Sequence, residues 1–471
     1  MTGSAARDPR IERLRAHVAW LADPARAGRE VGTAAERMVA EDLARRFAEA
    51  GLDPAGTDGY LQPVPLVRAR SGPASVTVIG PDGAQWISPV EAVAVRSARF
   101  SGSRARGPAT LVELRPPASP LETTSAALRL ERLLKELQDR PGRDEPSSAG
   151  GPGAAIPVVL VEPGDWVEAR AGLEAARFRP PGTDDTPDPS DEPPVVILNG
   201  GAAPRWLRHP SPRAAVAVEA SWTVEIEETT GWNVAGWLRG SDPALAEEAV
   251  VLTAHHDHLG VRAGRDRAAP GRGVLYPGVV DNALSVAELV ETARSLAAGP
   301  RPPRSIVFLS PTAEEVGFFG TRRWLAHPPP GTPRAVANWN HDGASEAWGR
   351  AASAVLVAGT GFPLADVFAA VVSKAGLRLA ANPFPTEGFF FRSDHYVFAE
   401  AGVPAGLVFL GPEYVGTPEG WGVARAAAYL REAYHQPKDG LQQIESWEGA
   451  LQYVELWAAL ARASAERAAL P

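Results

Sequence analysis

Apolar residues recur every three or four positions near the start of the chain. Ile11, Leu14, Val18 and Leu21 share one helical face, and Val39, Leu43 and Phe47 line a second helix. Thr33 and Glu36 have the spacing of a capping box that opens this second helix, and Gly51 closes it. Between about residues 70 and 220 the texture changes. Short β-branched runs such as "ASVTVIG", "GPATLVEL" and "IPVVLVEP" alternate with segments rich in Pro, Gly, Ser and acid. Two of these, "DRPGRDEPSSAGGPGAA" and "RPPGTDDTPDPSDEPP", have the composition of mobile surface loops.

After about residue 225 buried strands and amphipathic helices alternate. Continuous apolar runs predict strands at Ala249–Ala254, Ser305–Leu309, Ala335–Trp339, Ala354–Ala358 and Ala405–Leu410. Helices are predicted over Ala283–Ala298, with Val286, Leu289, Val290, Ala293 and Leu296 on one face, and over Pro363–Ala375. Such alternation predicts an α/β fold with a doubly wound, mostly parallel central sheet flanked by helices, whose ligands bind beyond the C-terminal strand ends. The expected domains are residues 1–68, the helical beginning of the main domain; 69–222, a β-rich insert; and 223–471, the α/β part.

Composition narrows the function. The 471 residues carry a net charge of −9 and no long Lys/Arg run, which argues against a nucleic-acid surface. Absence of cysteine excludes disulfides, thiolate nucleophiles and Cys-ligated metals. No window reaches the ~18–20 continuous apolar residues of a membrane span. "MTGSAARDPRIERLRAHVAWL" has no apolar stretch ahead of its charged helix, so the expectation is a cytoplasmic protein unless a leader has been removed. Oligomeric state stays open.

The chemistry gathers at the predicted strand ends. The first α/β strand runs into His255-His256-Asp257-His258, and Asp281-Asn282 opens a helix. The next strand leads to Glu314-Glu315, another to Asp342, and His435 follows in "AYHQPKDG". Singly these have ordinary explanations: an N-cap, a solvated helix start, a structural histidine. Jointly they place uncompensated carboxylates on one sheet edge, a repulsion that two divalent cations would remove. Two histidines and three carboxylates suit zinc, with manganese or cobalt as substitutes, and a bridging hydroxide would balance the charge. The implied chemistry is metal-assisted hydrolysis.

The blocks "AHHDHLG", "GVVDNALSVAELVE", "PTAEEVGFFG", "NWNHDG", "RSDHYVFAEAGVPA" and "YHQPKDG" resemble, in order, the signatures of the co-catalytic di-zinc aminopeptidases. That family includes glutamate carboxypeptidase II, glutaminyl cyclase and the transferrin receptor. The resemblance covers residues ~10–65 and ~225–465, and the insert sits where many members carry a protease-associated domain. It implies that His255 and Asp342 bind one zinc, Glu315 and His435 the other, and that Asp281 bridges both. It further implies Glu314 as general base, Asp257 as the carboxylate orienting a ligand histidine, Tyr434 as donor to the oxyanion and Arg392 as a contact to the substrate main chain. The expected activity is removal of N-terminal residues from peptides with a free N-terminus, by a bridging water on two zinc ions.

Some positions depart from the family pattern. Val280 stands where an acid is common, His256 replaces an aromatic, Ser285 a glycine, and Gly343 a bulkier apolar residue. Strand alternation would place His255 and Asp257 on one side, and His256 and His258 on the other, as structural groups or as groups supporting a ligand. Other readings on the same fold are a glutaminyl cyclase, a carboxypeptidase using Arg322 or Arg323 for a free carboxylate, and a non-catalytic receptor or scaffold. A metallo-β-lactamase-like His-x-His-x-Asp-His motif would need a histidine where Thr253 stands.

Overall fold

The computed structural model describes residues 8–80, 85–87, 93–96, 103–113, 133, 156–161, 177–181, 195–199, 202–203, 207, 217–263, 273–468 and 470. Residues 139–155 and 182–194, which form most of the two expected loops, lie outside the described residues. The chain forms two compact units, one of Met1–Leu66, Thr229–Val261 and Val274–Pro471, the other of Val67–Glu228 and Arg262–Gly273.

The first unit begins with α1 (Pro9–Leu21), capped by Asp8, and α2 (Ala34–Glu49). Leu14, Val18, Leu21, Val39, Leu43 and Phe47 are all buried, as the helical period requires. Only half of the capping box forms. Thr33 accepts the Glu36 amide, but the Glu36 carboxylate turns inward to accept the Trp232 amide, because burial offers it a partner that the helix start does not.

The central sheet uses β1 (Ala217–Leu238), β2 (Glu248–Thr253), β3 (Ser305–Ser310), β4 (Arg334–Asn340), β5 (Ser353–Ala358), β6 (Arg378–Leu379) and β7 (Ala405–Leu410). Its spatial order is β6-β5-β7-β4-β2-β3-β1. Strands β7, β4, β2 and β3 are parallel, while β1 and β5 pair antiparallel with their neighbours. Alternation along these strands feeds two cores. Val250, Leu252, Ile306, Phe308 and Trp339 join one that includes α1, α2, α3 (Leu284–Ala297) and α8 (Glu448–Ala465). Val251, Val307 and Leu309 pack instead with Trp324 of α4 (Phe319–Ala326) and Phe398 of α6 (His395–Glu400). The remaining helices are α5 (Ala365–Lys374) and α7 (Trp421–Glu432). With helices on both cores, the sheet has the doubly wound, mostly parallel plan that the sequence predicts.

The second unit is β-rich. Ser103–Glu113, Ile156–Val161 and Val195–Asn199 are parallel neighbours, flanked by antiparallel Val93–Arg96 and by 217–222. Val76, Val78, Val158, Leu160, Val196 and Leu198 form its core. Among the described residues of the whole chain, no helix is long and apolar enough to cross a membrane.

Candidate metal centre

Three adjacent parallel strands end side by side, and each hands its chain to the site. Past β2 comes His255, past β3 come Glu314 and Glu315, and past β4 comes Asp342. Asp281 lies in the irregular turn leading into α3, where Gly278 has φ +55°. A side chain at Gly278 would meet Asp281 O at 2.3 Å and the His258 ring at 2.5 Å, so only glycine lets the two segments approach. His435 follows α7 and completes the set.

The donor atoms form two groups that share one carboxylate. His255 Nε2 lies 3.3 Å from both Asp281 Oδ1 and Asp342 Oδ1. On the other side, His435 Nε2 lies 3.2 Å from Asp281 Oδ2 and 3.0 Å from Glu315 Oε2. His255 Nδ1 donates to the Asp257 carbonyl at 3.2 Å, which leaves Nε2 free to act as a ligand. The His435 Nε2 atom is buried and makes no hydrogen bond despite its two carboxylate neighbours. Imidazole nitrogens and carboxylate oxygens that converge in this way could hold divalent cations, and zinc suits this N/O set.

Electrostatics separates the adjacent glutamates. Burial, with the Asp342, Glu315 and Asp394 carboxylates nearby, holds Glu314 well above the usual carboxylate range. Burial would raise Glu315 as well, but His435 and His258 outweigh it and hold that carboxyl at about 2. Glu314 is therefore the group of the pair suited to take up a proton, and Glu315 the one suited to remain an anionic ligand. Glu314 Oε2 stands 3.9 Å from His255 Nε2, beside the two donor groups but outside them.

Tyr434 and Arg392 meet at the rim. Arg392 Nη2 donates to the Tyr434 hydroxyl at 3.1 Å and its Nη1 donates to the Glu387 carbonyl at 3.3 Å. Beside them opens a cavity of about 860 Å³, counting its solvent-filled mouth, walled by Trp348, Val355, Phe389, Leu407, Phe409 and Leu430, with Asp342 in its lining. The Phe389–Phe391 run divides: Phe389 faces this cavity, whereas Phe391 is 62% exposed. Gly343, which also lines the cavity, has φ +81° and leaves the wall open where a larger residue would stand. Arg322 pairs with Glu400 at 3.0 Å and does not line this cavity.

Three participants differ from the sequence reading: one, His258, was expected on the other side of the strand, and two were not singled out. Strand β2 ends at Thr253, so alternation does not extend to His258, which lies in irregular chain and reaches the same centre as a group supporting a ligand, with Nδ1 2.5 Å from Glu315 Oε1. His256 is the structural one, contacting Ser310 and Glu36. Asp439 is buried and accepts the amides of Val280 and Asp281, holding the shared ligand's backbone; the Asp257 carboxylate does the same for the amides of Glu314 and Glu315. The third is Arg29, 1% exposed, which donates to the carbonyls of Leu21, His256, Pro277 and Gly278. Burial lowers its pKa to about 10, so it stays cationic beside Asp281, Asp439 and Asp257. The "AHHDHLG" block held His258 and the "YHQPKDG" block held Asp439, whereas no motif marked Arg29. Replacing Arg29 by Met strands four carbonyls, three of them buried, and is expected to cost about 3–5 kcal/mol of unfolding free energy. Denaturant unfolding checks this, and a loss below about 1 kcal/mol would show that the guanidinium is not what ties these loops.

Residues 233–461 match the model of peptidase family M28, the family to which the six sequence blocks point. A vacuolar membrane protease of Candida dubliniensis is 23% identical over 208 residues, 44% of this chain but only 18% of that protein's length. The fold is similar to that of an aminopeptidase from an Aneurinibacillus species, with TM-score 0.55 and 16% identity over 96% of this chain and 92% of that one. It is similar also to a zinc aminopeptidase from Bacillus subtilis, with TM-score 0.52 and 18% identity over 96% and 94% of the two chains.

Proposed function

With the match of residues 233–461 to peptidase family M28 as premise, we propose that the protein is an aminopeptidase that holds two zinc ions and removes N-terminal residues from peptides. Both solved relatives named above are aminopeptidases. The observation that carries the reading is the sharing of Asp281, whose two oxygens face His255 on one side and His435 on the other. His255 and Asp342 would hold one ion, Glu315 and His435 the other, with His258 bracing Glu315.

When bound, the ions supply Lewis acidity toward the scissile carbonyl and the attacking water. The protein does the rest. Glu314, 7% exposed and poised to accept a proton, takes one from the water and delivers it to the leaving amine. Asp257 fixes the backbone of both glutamates. Because Arg392 donates to the Tyr434 oxygen, the phenolic proton is free to point at the developing oxyanion. Burial keeps that phenol well above its ordinary pKa, hence neutral and able to donate.

The apolar cavity beside Asp342 selects the side chain of the departing residue. Each CH₂ it buries is worth ~0.8 kcal/mol, so leucyl and phenylalanyl substrates should exceed alanyl ones in kcat/KM by at least about tenfold. A panel of aminoacyl-p-nitroanilides and N-acetylated peptides, with and without chelator, tests the whole reading. Cleavage of acetylated peptides would overturn the aminopeptidase assignment, and chelator-resistant turnover would overturn the metal.

A further inference from the structure

A second buried constellation lies one residue from the metal centre and does no chemistry in it. His341, immediately before Asp342, places Nε2 2.7 Å from Glu288 Oε2 and 3.1 Å from Glu346 Oε1. Its ring stacks on Tyr453 at 3.6 Å between centroids and meets Trp457 edge-on. All three charged residues are 0% exposed. Such an arrangement is a poor source of stability, since apolar residues of similar volume usually fold as well or better. What it supplies is a fixed geometry: one imidazole nitrogen between two carboxylates with the ring packed on an aromatic face, while His341 Nδ1, Glu288 Oε1 and Glu346 Oε2 are buried without a hydrogen-bond partner.

That geometry is passed to the ligands. The His341 amide donates to Thr253 O at 2.9 Å, and its carbonyl accepts Asn282 Nδ2 at 3.1 Å. Ala344 N donates to Val280 O at 3.0 Å. The segments 280–282 and 341–344, which carry Asp281 and Asp342, are thereby stitched together. On its other side Asp342 is followed by Gly343, which cannot anchor it: φ is +81°, and an added Cβ would touch only Phe409. The adjacent residue that fixes Asp342 is therefore His341, and Ala344 holds the loop two residues on through Val280. Neither Glu315 nor His435 contacts this group.

We infer that Glu288, His341 and Glu346 are positioning residues that hold Asp342 against Asp281, and so set the affinity of the cation position formed by His255, Asp281 and Asp342. This rests on the two-cation reading above. The test is a competition titration with zinc and a chromophoric chelator on the full chain, alongside thermal unfolding of the metal-free proteins. Wild type should bind two equivalents, and Asp342→Asn identifies which of them belongs to Asp342. The apolar variant E288L/H341F/E346L should unfold at or above the wild-type temperature yet bind that equivalent about 10–100-fold more weakly, the range set by removing groups that orient ligands. The other equivalent should be unchanged. E288Q/E346Q, which keeps both acceptors for His341, should restore near wild-type affinity. If the apolar variant does not fold, His341→Gln is titrated in its place, with the same selective weakening expected. Unchanged affinities, or equal weakening of both equivalents, would overturn the inference while leaving two-cation binding intact. So would a third equivalent in wild type that the apolar variant lacks, since the cluster would then bind a cation itself. A wild-type protein binding fewer than two would overturn the two-cation reading and this inference with it.

Discussion

Replacing Glu314 by Gln is expected to lower kcat by about 10²–10⁴-fold, the range for a positioned general base, while KM and bound zinc stay near wild type. The substitution keeps volume and shape at a buried position and removes only the ability to accept a proton. Glu314 is distinguished from Glu315 by environment: three carboxylates and burial raise the proton affinity of the first, while two imidazoles hold the second at about 2. The converse variant, Glu315→Gln, should therefore lose metal before it loses chemistry. Kinetics and metal content measured on the same preparations separate the two. Near wild-type turnover in Glu314→Gln would remove it as the base, and loss of zinc in that variant would make it a ligand.

What the sequence could and could not reveal follows from the range of each interaction. Strands such as Ser305–Ser310 were legible because burial on both faces demands an unbroken apolar run, and helices because their period is local. The ligands were legible as residue types at strand ends. Their partners were not. Arg29 reaches His256 and Gly278 across more than 220 positions, and nothing in "GRE" announces four carbonyl acceptors. Glu36 has the local signature of a cap but finds Trp232, so a distant partner overrides the nearby one. His258 was expected on the wrong side for another reason: two-residue alternation holds only while the chain stays in the sheet, and β2 had already ended. Val280 departs from the expected acid, yet its amide is held by Asp439, so the turn is fixed by a residue far along the chain.

Replacing Asp281 by Ala should affect both cation positions together, and that breadth distinguishes it from every other ligand substitution. Asp342→Ala removes a donor from one group, and His435→Ala from the other. Asp281 alone faces His255 through one oxygen and His435 through the other. Its backbone is held independently, by Asp439 through the amides of residues 280 and 281, so the turn should keep its course without the carboxylate. We therefore expect a folded protein that retains at most one weakly held zinc and loses about 10³-fold or more in kcat/KM, corresponding to several kcal/mol of lost electrostatic stabilisation. Zinc-dependent thermal stabilisation gives a readout free of turnover. Saturating a site at 100 times its Kd adds about 2.7 kcal/mol, so wild type should gain markedly on zinc addition and Asp281→Ala little. Asp281→Asn, which keeps the shape but loses the charge, should fall between them if the carboxylate bridges two dications. Equal zinc content and equal stabilisation in Asp281→Ala and wild type would mean that the two groups are filled without it, and the shared-ligand assignment would fall.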